Sequence, residues 1–167
     1  MTQGIETSSF DEGNGRPTND QVSTGLNSLL RGEISAAETY RTAIEKTAQS
    51  SSNSAPNVGL LRDIQQEHGR AAQALRDRIR ELGGEASDSS GAWGAWAKFT
   101  TGIANLFGDA AALKALKEGE EHGLKEYEEC LDEIDLTSAD LIENQLIPAQ
   151  QRHINTLDQL IAAVKPA

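Results

Sequence analysis

Two glutamates in this chain are each followed, seven residues later, by a tyrosine. Glu33 precedes Tyr40 and Glu120 precedes Tyr127, and these are the only two tyrosines in the sequence. Seven residues are close to two turns of an α-helix, so each tyrosine is expected on the same helix face as its glutamate. A carboxylate in this position can bind a cation, and the phenol can support it with a hydrogen bond.

A glutamine and a histidine recur three residues apart. Gln65 precedes His68 and Gln150 precedes His153, each time in the form Gln-Gln-x-His. This spacing places the amide and the imidazole on one face of a helix. Imidazole and carboxylate groups are the usual ligands of divalent transition metals. The two patterns together predict an internal repeat of a helix pair that carries two glutamates and two histidines.

Apolar residues at helical spacing predict four long helices around these positions. The predicted helices cover residues 18–49, 58–82, 109–134 and 137–164. A loop is expected over 50–57, and Gly83-Gly84 is a typical helix end. Asp109 is expected to cap the third helix, and Thr137 or Ser138 the fourth. Pro148 should bend the fourth helix or remove one of its hydrogen bonds.

The two glutamates and two histidines fall on the apolar stripes of their helices. Glu33 lies between Leu30 and Ala36, and His68 lies between Ile64 and Ala71. A single polar residue in such a position is usually an ordinary hydrogen-bonded core residue, but four in matched registers favour a shared site. Buried carboxylates cost several kcal/mol unless they are paired or bound to a cation. A metal ion or a protonated histidine would provide that compensation.

The rest of the chain predicts one all-α domain. Residues 1–17 are expected to form a disordered N-terminal arm, and 18–167 a four-helix bundle. The long crossover between the second and third helices is predicted to carry an extra short helix over 92–107. Its aromatic residues would anchor it to the end of the bundle or form a dimer contact. They are Trp93, Trp96, Phe99 and Phe107.

Composition excludes several classes of function. The net charge of −11 argues against nucleic-acid binding, because such a surface repels phosphates. No apolar run is long enough for a transmembrane helix or typical of a signal peptide, so no membrane association is expected. The single cysteine, Cys130, suits a reducing compartment, and we predict a cytoplasmic protein. A homodimer or another homo-oligomer is expected.

The repeated residues resemble those of the ferritin and rubrerythrin superfamily. There, two helices each give a glutamate followed two turns later by a tyrosine, and the other two each give Glu-x-x-His. The stretch from Gly91 to Glu129 is also similar to a bacterial ferritin-like family of unassigned function. The resemblance covers roughly residues 20–164 and implies a ferritin-like four-helix bundle. It implies Glu33, His68, Glu120 and His153 as metal ligands.

Two positions depart from the di-iron members of that superfamily. Gln65 and Gln150 stand where those proteins have the glutamates that bridge two metals. The remaining ligands suit one divalent ion, such as iron, manganese or zinc, or no metal at all, with each glutamate paired to a histidine and both glutamines completing the hydrogen-bond network around the site. Glu67 is about 100° round the helix from the ligand face and Glu143 is two turns from Gln150. Both are therefore poor substitutes for the missing ligands.

Two functions from different classes remain open. The first is a ferritin-like metal protein with a degenerate di-metal site, either an oxidoreductase that uses O₂ or peroxide or a metal-binding protein. Tyr40 and Tyr127 would then support the ligands by hydrogen bonds or donate electrons. The alternative is a metal-free bundle that acts as a stress-related structural or interaction protein. Iron storage would in addition require a surface that assembles into a cage.

Overall fold

The computed structural model describes residues 16–49, 55–91 and 110–164, and it is helical in the way that the sequence predicts. Helix α1 spans Asn19–Gln49, α2 spans Ala55–Glu81, and α3 spans Ala110–Cys130. A 3₁₀ turn, Leu131–Glu133, follows α3. Helix α4 consists of three consecutive stretches, Leu136–Leu141, a π-helical turn Ile142–Leu146, and Ile147–Ala163. These residues contain no β-strand, which confirms the predicted all-α class.

Cross-helix contacts give the direction of each helix. The start of α1 lies beside the end of α2, because the Asn19 side chain donates to the Leu82 carbonyl. The start of α3 lies beside the end of α4, where Lys117 pairs with Asp158 at 2.7 Å. Each sequential pair is therefore antiparallel.

Contacts between the two pairs show that α1 also runs antiparallel to α3. Tyr40 of α1 contacts Glu120 of α3, and Tyr127 of α3 contacts Glu33 of α1. Because α1 is antiparallel to both α2 and α3, those two helices run in the same direction. The end of α2 and the start of α3 therefore lie at opposite ends of the bundle, which agrees with the long crossover that the sequence predicts.

The first residues of that connection lie along α1. The Asn27 side chain donates to the Glu85 carbonyl and accepts from the Ser87 amide, both at 2.8 Å. Gly84 passes so close to α1 that a Cβ there would lie 2.7 Å from the Ser23 hydroxyl oxygen. The predicted short helix over 92–107, its aromatic anchors, the Asp109 cap and residues 1–15 of the predicted arm lie outside the described residues.

Two helix starts differ from the prediction. Asp135, in an extended conformation, caps α4 by accepting from the amides of Thr137 and Ser138. The predicted cap at Thr137 or Ser138 is therefore wrong, because both residues already belong to the first turn. Helix α2 begins at Ala55, so the predicted loop over 50–57 extended too far. Pro56 falls in the first turn, where its missing N–H has no helical partner to lose.

Pro148 lies directly after the π-helical turn of α4. The Ile147 amide donates to the Ile142 carbonyl, five residues earlier instead of four. A proline cannot donate the next helical hydrogen bond and crowds the preceding turn. The expected disturbance at Pro148 is thus accompanied by a widened turn, which sets the register of Gln150 and His153 after it.

The apolar core is divided into two clusters along the bundle axis. One holds Val22, Leu26, Leu29, Leu30, Ala72, Leu75, Ile79, Tyr127, Ile134, Ile142 and Leu146. The other holds Tyr40, Ile44, Leu61, Ile64, Leu113, Leu116, Leu157 and Leu160. On every helix, the polar residues singled out above fall between members of the two clusters. In the described part of the chain, no helix is both long and apolar enough to cross a bilayer.

Replacement of Asp135 by alanine should destabilise the fold. Its carboxylate caps α4 and also accepts from the Arg78 guanidinium of α2 at 2.8 Å, so one residue joins two helices. We expect Asp135→Ala to lower the free energy of unfolding by about 1–3 kcal/mol, as measured by urea denaturation. Asp132→Ala, at an exposed position in the preceding 3₁₀ turn, is the matched control. Equal losses in the two variants would contradict the assigned cap.

Candidate metal centre

The four predicted ligands come together at the middle of the bundle, one from each helix. Their exposed fractions are 6% for Glu33, 2% for His68, 0% for Glu120 and 4% for His153. Each residue lies between the two apolar clusters of its helix, so the helical repeat turns all four inward at one level. Burial of two acids and two imidazoles in one layer requires that they bind one another or a cation.

His68 lies between the two buried glutamates. Its Nδ1 is 2.9 Å from Glu33 Oε2, and its Nε2 is 3.0 Å from Glu120 Oε1. Both neighbours are hydrogen-bond acceptors when ionised, so the ring can donate to both only with a proton on each nitrogen. In this arrangement His68 is a cation between two carboxylates.

His153 continues the network from Glu120 to the surface. Its Nδ1 is 3.2 Å from Glu120 Oε2, and its Nε2 is 3.0 Å from Glu67 Oε2. The same Glu67 oxygen accepts from Arg152 at 3.2 Å. A chain of hydrogen-bonded groups, in which carboxylates alternate with imidazoles, therefore runs from Glu33 to Glu67 and ends at Arg152. It crosses all four helices and ends in solvent.

The two tyrosines hold the glutamates from opposite sides. The Tyr127 hydroxyl donates to Glu33 Oε1 at 2.6 Å, and the Tyr40 hydroxyl donates to Glu120 Oε1 at 2.5 Å. Each tyrosine thus binds the glutamate of the partner helix, although its own helix carries a glutamate two turns away. Burial and the neighbouring carboxylates raise the pKa of both phenols well above the ordinary value. Both therefore remain neutral hydrogen-bond donors.

The two glutamines are placed differently. Gln150 is buried, and its Nε2 donates to the main-chain carbonyl of Glu120 at 2.9 Å. Gly123 makes room for this contact, since a Cβ at that position would lie 2.9 Å from the amide nitrogen. Gln65 is only half-buried and takes no part in the hydrogen bonds of the network. The sequence pattern predicts the same role for both glutamines, whereas in the structure only Gln150 forms a hydrogen bond to a site residue.

Electrostatics strengthen the charged forms of the central groups. Burial alone would lower the pKa of His68, but the Glu120 and Glu33 carboxylates raise it well above its ordinary value. Burial alone would raise the pKa of Glu120. The His68 charge and the hydrogen bonds from His153 and His68 outweigh it, and they lower that pKa to about 2. Glu120 therefore remains ionised in the core throughout the neutral range.

Three of the predicted ligands have donor atoms close enough to share one ion. One ligand atom each from His68, Glu120 and His153 all lie within 4.8 Å of one another. No other group of three or more such residues in the described ranges meets this condition. Glu33 contacts the other nitrogen of His68 and thus lies behind that ring. The metal roles of all four residues remain predictions.

Glu67 belongs to the network, although the sequence predicted only that it would be a poor substitute for a missing ligand. It is one position from the ligand face of α2, but its side chain reaches His153 across the bundle. A signal was present, because Glu67 and Arg152 precede the two repeated histidines and have opposite charges. Such a pair can bond where α2 meets α4, and it does so at 3.2 Å. Glu143 is exposed and lies outside the network.

The fold has a match among known structures. The chain resembles a crystal structure described as ferritin-like, diiron-carboxylate proteins from Bacillus anthracis str. Ames, with a TM-score of 0.64 and 19% sequence identity. The match covers 86% of this chain and 96% of that one. At this identity the likeness shows the fold alone, and it confirms the predicted ferritin-like bundle. No curated protein matches the chain significantly.

A family model also matches the chain. Residues 21–133, which are more than half of the chain, match a family described as a domain of unknown function, DUF2383. The matched range includes Glu33, His68, Glu120 and both tyrosines. It ends before Gln150 and His153 of α4. The chain therefore belongs to the DUF2383 family, and it has the ferritin-like fold.

Proposed function

We propose that this protein binds one divalent transition metal ion in the core of its bundle. The observation that carries the proposal is the convergence of His68, Glu120 and His153, from three different helices, with donor atoms within 4.8 Å. All three side chains are almost fully buried, so a bound ion would be enclosed by protein. Two imidazoles and one carboxylate are a set used by iron, manganese and zinc proteins.

The distances in this group suit shared coordination. Donor atoms that bind one ion through bonds of about 2.1 Å lie roughly 3.0–3.5 Å from their neighbours. His68 Nε2 lies 3.0 Å from Glu120 Oε1, and His153 Nδ1 lies 3.2 Å from Glu120 Oε2. In this proposal Glu33 holds the far side of the His68 ring, and three ligands remain of the predicted four. A carboxylate in that position orients an imidazole ligand and increases its basicity.

A di-metal centre does not fit the residues present. Glu33 and Glu120 are the only acidic side chains among the buried residues of the described chain. The positions of the bridging glutamates are occupied by the neutral amides of Gln65 and Gln150. The Gln150 amide nitrogen is moreover bound to the Glu120 carbonyl. Two divalent ions would leave excess positive charge in the core, which is strongly unfavourable.

The protein side chains determine how an ion could enter the site. His68 must release the proton on Nε2, and Nδ1 of His153 must carry no proton, before either nitrogen can bind a cation. The opposite nitrogens can keep their protons, because Glu33 and Glu67 accept from them. Tyr40 and Tyr127 continue to hold the glutamates by hydrogen bonds. A bound redox-active ion would supply electron transfer, whereas zinc would supply Lewis acidity.

Stoichiometric metal binding is the first expected result. Purified protein should take up one Fe²⁺, Mn²⁺ or Zn²⁺ per chain, as measured by elemental analysis after dialysis. Titration calorimetry in buffers with different ionisation enthalpies should show at least one proton released per ion, because His68 must be deprotonated. His153→Gln should weaken binding at least 100-fold, which exceeds the usual loss of about 10–100-fold for a residue behind a ligand.

His122→Gln is the control for that experiment. His122 is the one histidine of the sequence besides His68 and His153, and it lies exposed on α3 beside Glu126. Its replacement should leave the affinity unchanged. Metal contents well below one ion per chain in the wild-type protein would disprove the proposal, as would equal losses in the two histidine variants.

A second function is favoured by a different observation. Within the described residues, the Ser23 hydroxyl is the only buried side-chain polar atom without a hydrogen-bond partner, and it lies near Gly84 instead of the centre. The centre is thus fully satisfied without an ion, which a metal-free structural or interaction protein would require. Chelation distinguishes the two functions. If metal binding is correct, chelation lowers the melting temperature of the loaded protein, whereas a metal-free protein is unaffected.

The stability of the metal-free protein should depend on pH in a specific way. The pKa of His68 is raised above 6.5, so its contribution is complete below about pH 6.5 and is lost as the pH rises through the higher value in the folded state. The pKa of Glu120 is lowered from 4.5 to about 2, so its contribution is lost as the pH falls below 4.5. Urea denaturation with chelator present should show greatest stability between these limits. A steady increase from pH 6 to pH 9 would contradict the charged network.

A further inference from the structure

Glu67 connects the buried network to the solvent. Its side chain is 29% exposed, while those of Glu33, His68, Glu120 and His153 are exposed by at most 8%. One carboxylate oxygen of Glu67 accepts from both His153 at 3.0 Å and an arginine at 3.2 Å. The proposed ligand His153 therefore contacts a group that solvent and surface charges can reach.

The two histidines differ in what holds their outer nitrogen. The outer nitrogen of His68 faces Glu33, which is buried and is bound in turn by Tyr127. The outer nitrogen of His153 faces Glu67, whose same oxygen is bound by Arg152. One ligand is thus supported from within the core and the other from the surface, although their sequence motifs are alike.

We propose that Glu67 is a positioning residue for His153 and that Arg152 limits its effect. This inference rests on the metal-binding function proposed above. By accepting the proton of Nε2, Glu67 fixes the ring so that Nδ1 lies on the side of Glu120, where the ion would bind, and it increases the basicity of that nitrogen. Arg152 donates a hydrogen bond to the same Glu67 oxygen and partly neutralises its negative charge. The ion pair on the surface therefore regulates the affinity of the buried site.

This arrangement predicts opposite effects for the two members of the ion pair. Loss of Glu67 removes the support of His153 and weakens binding. Loss of Arg152 leaves the Glu67 oxygen entirely to His153 and also removes a positive charge from the neighbourhood of the cation, so binding becomes tighter. If the pair merely joined α2 to α4, removal of either member would act in the same direction.

Zn²⁺ affinity of the full chain, measured by competition with a chromophoric chelator, tests this proposal. We expect Glu67→Ala to weaken binding about 10–100-fold. Glu67→Gln should lose less, because the amide oxygen can still accept from His153. Arg152→Gln should tighten binding roughly 2–5-fold, the scale of one exposed ion pair. Arg80→Gln removes the same charge from the exposed pair that Arg80 forms with Asp77 on α2, and it should change nothing.

A second measurement, on the metal-free protein, does not depend on metal binding. The hydrogen bond to Glu67 should protect the Nε2 proton of His153 from exchange and make its resonance visible in ¹⁵N–¹H NMR spectra. The resonance should persist in Arg80→Gln and disappear in Glu67→Ala. If the wild-type protein fails to bind Zn²⁺, but the resonance is visible in it and disappears in Glu67→Ala, the positioning role is supported and the metal function alone is refuted.

Three results would overturn the inference. The first is a Glu67→Ala variant that binds Zn²⁺ as tightly as the wild-type protein. The second is an Arg152→Gln variant that is weakened as much as Glu67→Ala. The third is a His153 resonance that Glu67→Ala leaves unchanged.

Discussion

The structure depends on a carboxylate that has no access to water. Glu120 is fully buried, and its two oxygens contact Tyr40, His68 and His153. An isolated ion in such a place would be too costly for a domain of this size. The contacts keep it ionised instead, with a pKa of about 2. The three partners come from the three other helices, so the ionised group is stable only when the bundle is assembled.

This requirement explains the arrangement of the helices around the centre. Each tyrosine binds the glutamate of the other helix pair, so α1 and α3 are locked in one register by two crossed contacts. The apolar clusters on either side of the polar layer bury surface but specify the register of the helices only weakly, because leucine and alanine side chains can pack in several alternative arrangements. Directional contacts in the polar layer fix the register more strictly. The π-helical turn before Pro148 belongs to the same system, since it sets the rotation at which Gln150 and His153 enter the core.

The sequence predicted this layer because its residues repeat at helical spacing. Four polar residues interrupt the apolar stripes of their helices, and such an interruption can be recognised from one sequence alone. They are Glu33, His68, Glu120 and His153. The role of Glu67 was not predictable in the same way, because helical spacing does not show how far its side chain extends from α2 toward His153 on α4. The cap at Asp135 was missed because Asp135, Thr137 and Ser138 lie within four positions and each could have capped the helix, and only the backbone conformation distinguishes them. Homo-oligomerisation and a cytoplasmic location stay predictions.

The charges of the layer limit what the proposed metal site could hold. Without metal, the His68 ring lies between the Glu33 and Glu120 carboxylates, and the His153 ring lies between Glu120 and Glu67. In the proposed metal-bound state, one divalent ion would balance the two buried carboxylates Glu33 and Glu120, because the imidazole ligands are then uncharged. A second divalent ion would leave two positive charges without carboxylates to balance them, because Gln65 and Gln150 are neutral amides. The charge of the layer therefore limits the metal-binding proposal to one divalent ion.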